Sequence, residues 1–244
     1  MIGYIIARLR AADASALRGA HGASEREINA LENAAGASLP HVYVQFLALM
    51  GRSTDFNLME GYDFSVTSLL DTLKTTGPTR TWLPIGVGVE PDFVSLPLVR
   101  SKKRDDPYVY LSFDGQSDVD PELVVASSFG GFFARALFCE RLVKRQKYTS
   151  ILVPDVTPLY VRITGLVNVD VEVLKLFESL GGHPFFDAEG CTAYAAPGGF
   201  ICYVRWPGRR TFAVHVGGGD RMFTALVRDA FYRHLKIALG DRDG

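Results

Sequence analysis

Apolar residues recur at helical spacing from the start of the chain. Ile2, Ile5, Ile6 and Leu9, with Ala12, Ala16 and Leu17 continuing the row, predict a helix over residues 2–18 that Gly19 and Gly22 end. Ser24-Glu25-Arg26-Glu27 follows, a capping box in which the Ser hydroxyl takes a first-turn N–H and the Glu carboxylate reaches back to the cap. It opens a second helix with Ile28, Leu31 and Ala35 on its apolar face and Gly36 as a left-handed stop. The ring of Pro40 then drives Leu39 out of helical geometry, while Pro40 itself suits the start of a new helix. In that third helix Tyr43, Phe46, Leu47 and Met50 fall at i, i+3, i+4 and i+7, a core-facing stripe closed by Gly51.

From residue 54 the hydrophobic period shortens. "FNLMEGYDFSV", "WLPIGVG", "DFVSLPLV" and "PYVYLSF" read as short strands punctuated by Gly, Pro and Asp, with a helix in "SVTSLLDTLKTTG" carried by Leu69, Leu70 and Leu73. "SSFGGFFARALFCERLVKR" reads as a longer helix that begins at a Ser cap and lines up Phe132, Phe133, Ala136, Leu137 and Leu142. Residues 142–158 combine a basic run with two prolines and mark the best domain boundary, which divides the chain into 1–145 and 146–244. Beyond it come a strand in "LYVRITGLV", a helix in "DVEVLKLFESLGG", strands in "CTAYAA", "FICYVRW" and "TFAVHV", and a last helix in "DRMFTALVRDAFYRHLKIAL". The predicted class is α+β, with N-terminal helices packed on a mainly antiparallel sheet and an additional C-terminal α/β region.

The order of capped helix, Leu39-Pro40, aromatic helix ending in Gly51, short strands, "LPIGVGVEPDFVSL", "PYVYLSFD" and "VASSFGGFFARAL" resembles the SUKH superfamily over roughly residues 1–140. That superfamily includes bacterial immunity proteins of polymorphic toxin systems and fungal regulators of cell-wall synthesis. Its usual Asn-Gly ending of the third helix is Met50-Gly51 here, and its usual Gly-Asp step before the next strand is Pro91-Asp92. The resemblance therefore carries the fold further than it carries any binding residue. It implies a non-catalytic protein-binding module, an immunity protein that occludes a cognate toxin, with a protein partner and no cofactor. Residues 146–244 match no family pattern. Two other readings stay open: a small hydrolase or metal-dependent enzyme built on the C-terminal region, and an intracellular regulatory scaffold.

Composition narrows these readings. The chain has 244 residues, 48% hydrophobic and 22% charged, as in ordinary soluble globular proteins. A net charge of −1 conceals an asymmetry: residues 1–140 hold 12 Lys+Arg against 17 Asp+Glu, and residues 141–244 hold 14 against 10. This excludes a uniformly basic nucleic-acid binder and a uniformly acidic mimic of DNA. "MIGYIIARLR" has its basic residues on the wrong side of too short an apolar run for a secretory leader, and no segment approaches the ~20 apolar residues of a membrane span. The expectation is a cytoplasmic protein with Cys139, Cys191 and Cys202 reduced.

Several residues are candidates for chemistry or contact. If Pro197-Gly198 and Pro207-Gly208 make tight hairpins, Cys191, Cys202 and His215 share one sheet face, and zinc bound with His183 as a fourth ligand is conceivable. The spacing matches no common zinc pattern, and the small apolar neighbours Ala193 and Ala213 favour buried, inert thiols. "VGGGDRM", residues 216–222, sets glycines before a helix capped by Asp220; without a P-loop Lys-Ser/Thr it reads as a turn. "RSKKRDD" reads as a solvated hairpin tip. Trp82 is a candidate interface anchor, and Asp114, Asp118 and Asp120 form an acidic loop suited to steering a basic partner.

Overall fold

A computed structural model describes residues 1–53, 58–77, 82–88, 92–98, 105–112, 123–154, 169–188, 190–206, 212–235 and 239–242. The chain divides into two compact units, one made of Met1–Arg10 and Leu17–Ala136, the other of Ala11–Ala16 and Leu137–Gly244. Among the described residues every strand pair is antiparallel. Among the described residues, no helix is long and apolar enough to cross a membrane.

The first helix, α1, spans Ile2–Ala12 and buries Ile2, Ile5, Ile6 and Leu9. It stops short of the predicted residue 18 because the Asp13 carboxylate accepts the N–H and the hydroxyl of Ser15, each at 2.8 Å. That local turn competes with helix continuation. Helix α2 spans Glu25–Ala35 with both halves of the capping box formed, and Gly36 closes it at φ +67°. Helix α3 spans His41–Met50, starts after Pro40 and buries Val42, Tyr43, Phe46, Leu47 and Met50. Gly22 lets the preceding chain press onto α3. A Cβ there would stand 1.9 Å from the Ala48 carbonyl oxygen, while the Ala23 N–H donates to Leu47 O at 2.8 Å.

Helix α4 spans Val66–Thr76 behind its cap Ser65. The strand expected in "FNLMEGYDFSV" does not form among residues 58–65, which turn at Gly61 and contribute one bridge, Asp63 to Val87. A sheet follows in the order β1 (Trp82–Val87), β2 (Phe93–Pro97), β3 (Val109–Ser112), β4 (Leu123–Ala126). Helix α5, Phe129–Phe138, continues as a π-helical turn, Cys139–Val143. Its Gly-Gly start is held from two sides: Ser128 Oγ accepts the Gly131 N–H at 3.0 Å, and Asp106 Oδ1 accepts the Gly130 N–H at 2.9 Å. Phe46 of α3 meets Phe129 and Phe133 of α5 edge-on at 5.5 and 5.4 Å, so the aromatic stripe forms the centre of this core.

The second unit holds a six-stranded sheet ordered β10-β5-β9-β8-β7-β6. Its strands are β5 (Tyr148–Pro154), β6 (His183–Ala188), β7 (Cys191–Ala196), β8 (Gly199–Arg205), β9 (Phe212–Gly218) and β10 (Leu239–Arg242). Helices α6 (Val169–Ser179) and α7 (Arg221–Ala230) join one face in a core that includes Phe177, Tyr194, Tyr203, Phe212, Phe223 and Phe231. On the other face the turn Cys139–Val143 lies against β8 and β9. The segment read as a boundary, residues 142–158, contains β5, a strand paired on both sides; its flanking basic and proline residues gave it the look of a connection. The chain passes between the units on either side of Ala11–Ala16 and for the last time inside α5, after Ala136. The strand expected in "LYVRITGLV" lies outside the described residues.

Candidate partner-binding face

Alternation along β1 to β3 sorts the first sheet into two faces. Leu83, Ile85, Val94, Leu96 and Val109 are fully buried, on the side where α4 meets β1. The opposite row carries Trp82, Pro84, Ser95, Pro97, Tyr110 and Val124, in the register Trp82 to Pro97 and Pro84 to Ser95 to Tyr110 to Val124. Trp82, Pro97, Tyr110 and Val124 are half-buried, whereas Pro84 and Ser95 at the middle of the row are buried. The Trp82 ring stands edge-on to Tyr110 at 4.8 Å, and Tyr108 lies 6.2 Å from Tyr110. Trp82, the anchor expected from the sequence, is thus one of three neighbouring aromatic side chains. Tyr108 and Tyr110 were legible only as the alternate positions of "PYVYLSF", which share a face once that segment is a strand.

Charge near this sheet is held in fixed hydrogen bonds. Where β1 leads to β2, the Tyr62 hydroxyl donates to Asp92 Oδ2 at 2.5 Å. Burial, then the negative Asp92 carboxylate, pushes the Tyr62 phenol well above its ordinary range, so it stays a donor. The Asp106 carboxyl is raised by burial against the opposing pull of the Gly130 and Phe129 N–H groups at the start of α5. Asp114, Asp118 and Asp120 lie outside the described residues.

The metal candidates separate into a cluster and an outlier. The register pairs Ala193 with Cys202 and Cys202 with His215, which puts Cys191, Cys202 and His215 on one face. Cys191 and Cys202 are buried with their sulfurs 3.5 Å apart. Cys139, delivered by the π-helical turn, is the third thiol, and its hydrogen bond is the largest cause raising the Cys202 thiol well above its ordinary range, ahead of Cys191 and burial. Cysteine spacing could not have shown this, because Cys139 arrives from a different element. His183 pairs with Ala195, four residues along β7 from Cys191, or about 13 Å at strand rise. Among the described residues no group of three or more His, Cys, Asp or Glu side chains is arranged to hold a metal ion. Its two thiol neighbours and burial keep the Cys202 thiol protonated.

A short antiparallel sheet with a buried face and half-buried aromatic side chains on the other defines an α+β module. Residues 22–135 match the SMI1 / KNR4 family (SUKH-1), and this segment of the chain belongs to the SUKH superfamily. No curated protein and no solved structure matches the chain.

Proposed function

We propose that the chain is an immunity protein: a non-catalytic module that binds a toxin domain through the outer face of the first sheet and blocks that domain's active or substrate site. The SUKH-1 segment carries this reading, since the superfamily supplies toxin-immunity and regulatory protein-binding modules. The row Trp82, Tyr110 and Tyr108 supports it physically. Clustered Trp and Tyr side chains bring large apolar area with a polar tip and supply much of the affinity in protein interfaces. On this reading the occupant is a cognate toxin domain, to be sought among the products of neighbouring genes.

Co-expression tests the proposal. Wild-type chain should restore growth to cells making the neighbouring toxin domain. The double variant Trp82→Ala/Tyr110→Ala should lose that protection and bind the purified domain at least tenfold more weakly, with an unchanged melting temperature. Protection that survives the double variant would remove the sheet face from the mechanism. Failure of the wild type to protect would overturn the immunity reading.

A further inference from the structure

Trp82 and Tyr110 touch although a strand separates them. The register pairs Trp82 of β1 with Pro97 of β2, and Ser95 of β2 with Tyr110 of β3. Two strand spacings of ~4.8 Å put the outer two backbones roughly 10 Å apart. A ring separation of 4.8 Å therefore requires the two side chains to lean toward each other over β2. Ser95, on the same face between them, makes room for this, being small and only 6% exposed. Tyr108 extends the group, 6.2 Å from Tyr110 with its ring tilted by 46°. The three rings form an aromatic shelf laid across the sheet from β1 to β3.

Such a shelf suits a slender chain that carries rings of its own. Among the described residues the row Trp82, Pro84, Ser95, Pro97, Tyr110 and Val124 has no charged side chain, so it selects for apolar contact over ion pairs. A polyproline II helix has three residues per turn and a rise of ~3.1 Å, so every third residue faces the same way about 9 Å further on. That repeat is comparable to the roughly 10 Å from β1 to β3. An α-helix, ~10–12 Å across, is recognised by laying its apolar face into a groove, and three rings set side by side fit the narrower chain better. Polyproline II has no internal hydrogen bonds, which leaves its carbonyls to accept from a donor such as the indole N–H. Its backbone is fixed before it binds, so little conformational freedom is lost on docking.

We propose that the outer face of the first sheet binds a proline-rich segment of its partner in the polyproline II conformation, with proline rings stacked on Trp82, Tyr110 and Tyr108. This rests on the reading of that face as the surface that meets a toxin domain, and it names the part of the partner that is met.

Fluorescence anisotropy of a labelled decaproline peptide, titrated with the full chain, provides the test, with a labelled Gly-Ser peptide of equal length as control. The expected result is saturable binding of decaproline, at least tenfold tighter than the control, that weakens at least tenfold in Trp82→Ala. Trp82→Phe keeps a ring and should fall between the two, and Tyr108→Ala supplies a second reading if Trp82→Ala does not fold. Absence of saturable binding, equal affinity for decaproline and control, or wild-type affinity in folded Trp82→Ala would each overturn the proposal. Co-expression with the toxin domain separates this outcome from the immunity reading. A wild-type chain that protects cells but does not bind decaproline sinks the proline-rich segment alone. One that binds decaproline but protects against no neighbouring toxin leaves the recognition standing and removes the toxin as its source.

Discussion

Glu27 shows how one half-buried side chain can organise two helix ends. Its carboxylate accepts the Ser24 hydroxyl at 2.6 Å, the Ser24 N–H at 2.8 Å and Arg52, just past the end of α3, at 2.8 Å. The Ser24 hydroxyl first, then Arg52, hold its carboxyl at about 2 against an ordinary 4.5. A carboxyl whose pKa is depressed on folding stabilises the native state fully above the unfolded value, and loses that contribution as pH falls through the folded one. Between pH 4.5 and about 2 the unfolded chain therefore binds more protons at this site than the folded chain. Glu27→Gln should melt below the wild type at pH 7 and approach it toward pH 2, so the two curves converge on acidification. Parallel curves in a thermal melt series would show that the carboxylate contributes nothing to acid sensitivity. The capping box was legible from residues 24–27 because its partners are three residues apart. Arg52, 25 residues away, was not. Nor was Asp106 at the start of α5, 24 residues before the N–H it accepts.

Among elements, those with a complete local signal were readable and those defined by a distant neighbour were not. Helices α2 and α3 declare themselves by caps, the Leu39-Pro40 corner and an apolar stripe at helical spacing. Strand β5 does not. "YTSILVP" has no clear alternation and follows a basic run, and it is a strand because β9 and β10 flank it. Trp82 was legible as a single aromatic, whereas its company with Tyr108 and Tyr110 required the register of β1, β2 and β3. Lys147 comes beside Arg221 of α7 only through the pairing of β5 with β9. The α3 stripe offers a direct check of element placement. Phe46 is 2% exposed and touches Tyr43, Phe129 and Phe133. Its truncation to Ala should cost about 3–5 kcal/mol, the range for a buried aromatic ring that leaves a cavity. Denaturant titration reads this as a lower midpoint at unchanged slope. A near-neutral result would mean that the ring is not at the core of α3 and α5.

At the scale of the whole molecule, charge and apolar contact make different demands on a partner. Residues 1–140 carry 12 Lys+Arg against 17 Asp+Glu, and residues 141–244 carry 14 against 10, so neither half is strongly polarised. At physiological ionic strength such charges act over about 8 Å and mainly tune how fast partners meet. Apolar contacts of the kind that the Trp82 and Tyr110 rings offer are short-ranged and insensitive to salt, and contacts of that kind govern how long a complex lasts. If the toxin domain docks on that face, raising salt from about 50 to about 300 mM should slow association by less than tenfold and leave dissociation nearly unchanged. Trp82→Ala should do the opposite, speeding dissociation at least tenfold with association close to wild type. Surface-bound kinetics at the two salt concentrations separate the cases. A steep salt dependence combined with a silent Trp82→Ala would move recognition from the sheet to charged segments, where the triple variant Asp114→Asn/Asp118→Asn/Asp120→Asn becomes the deciding measurement.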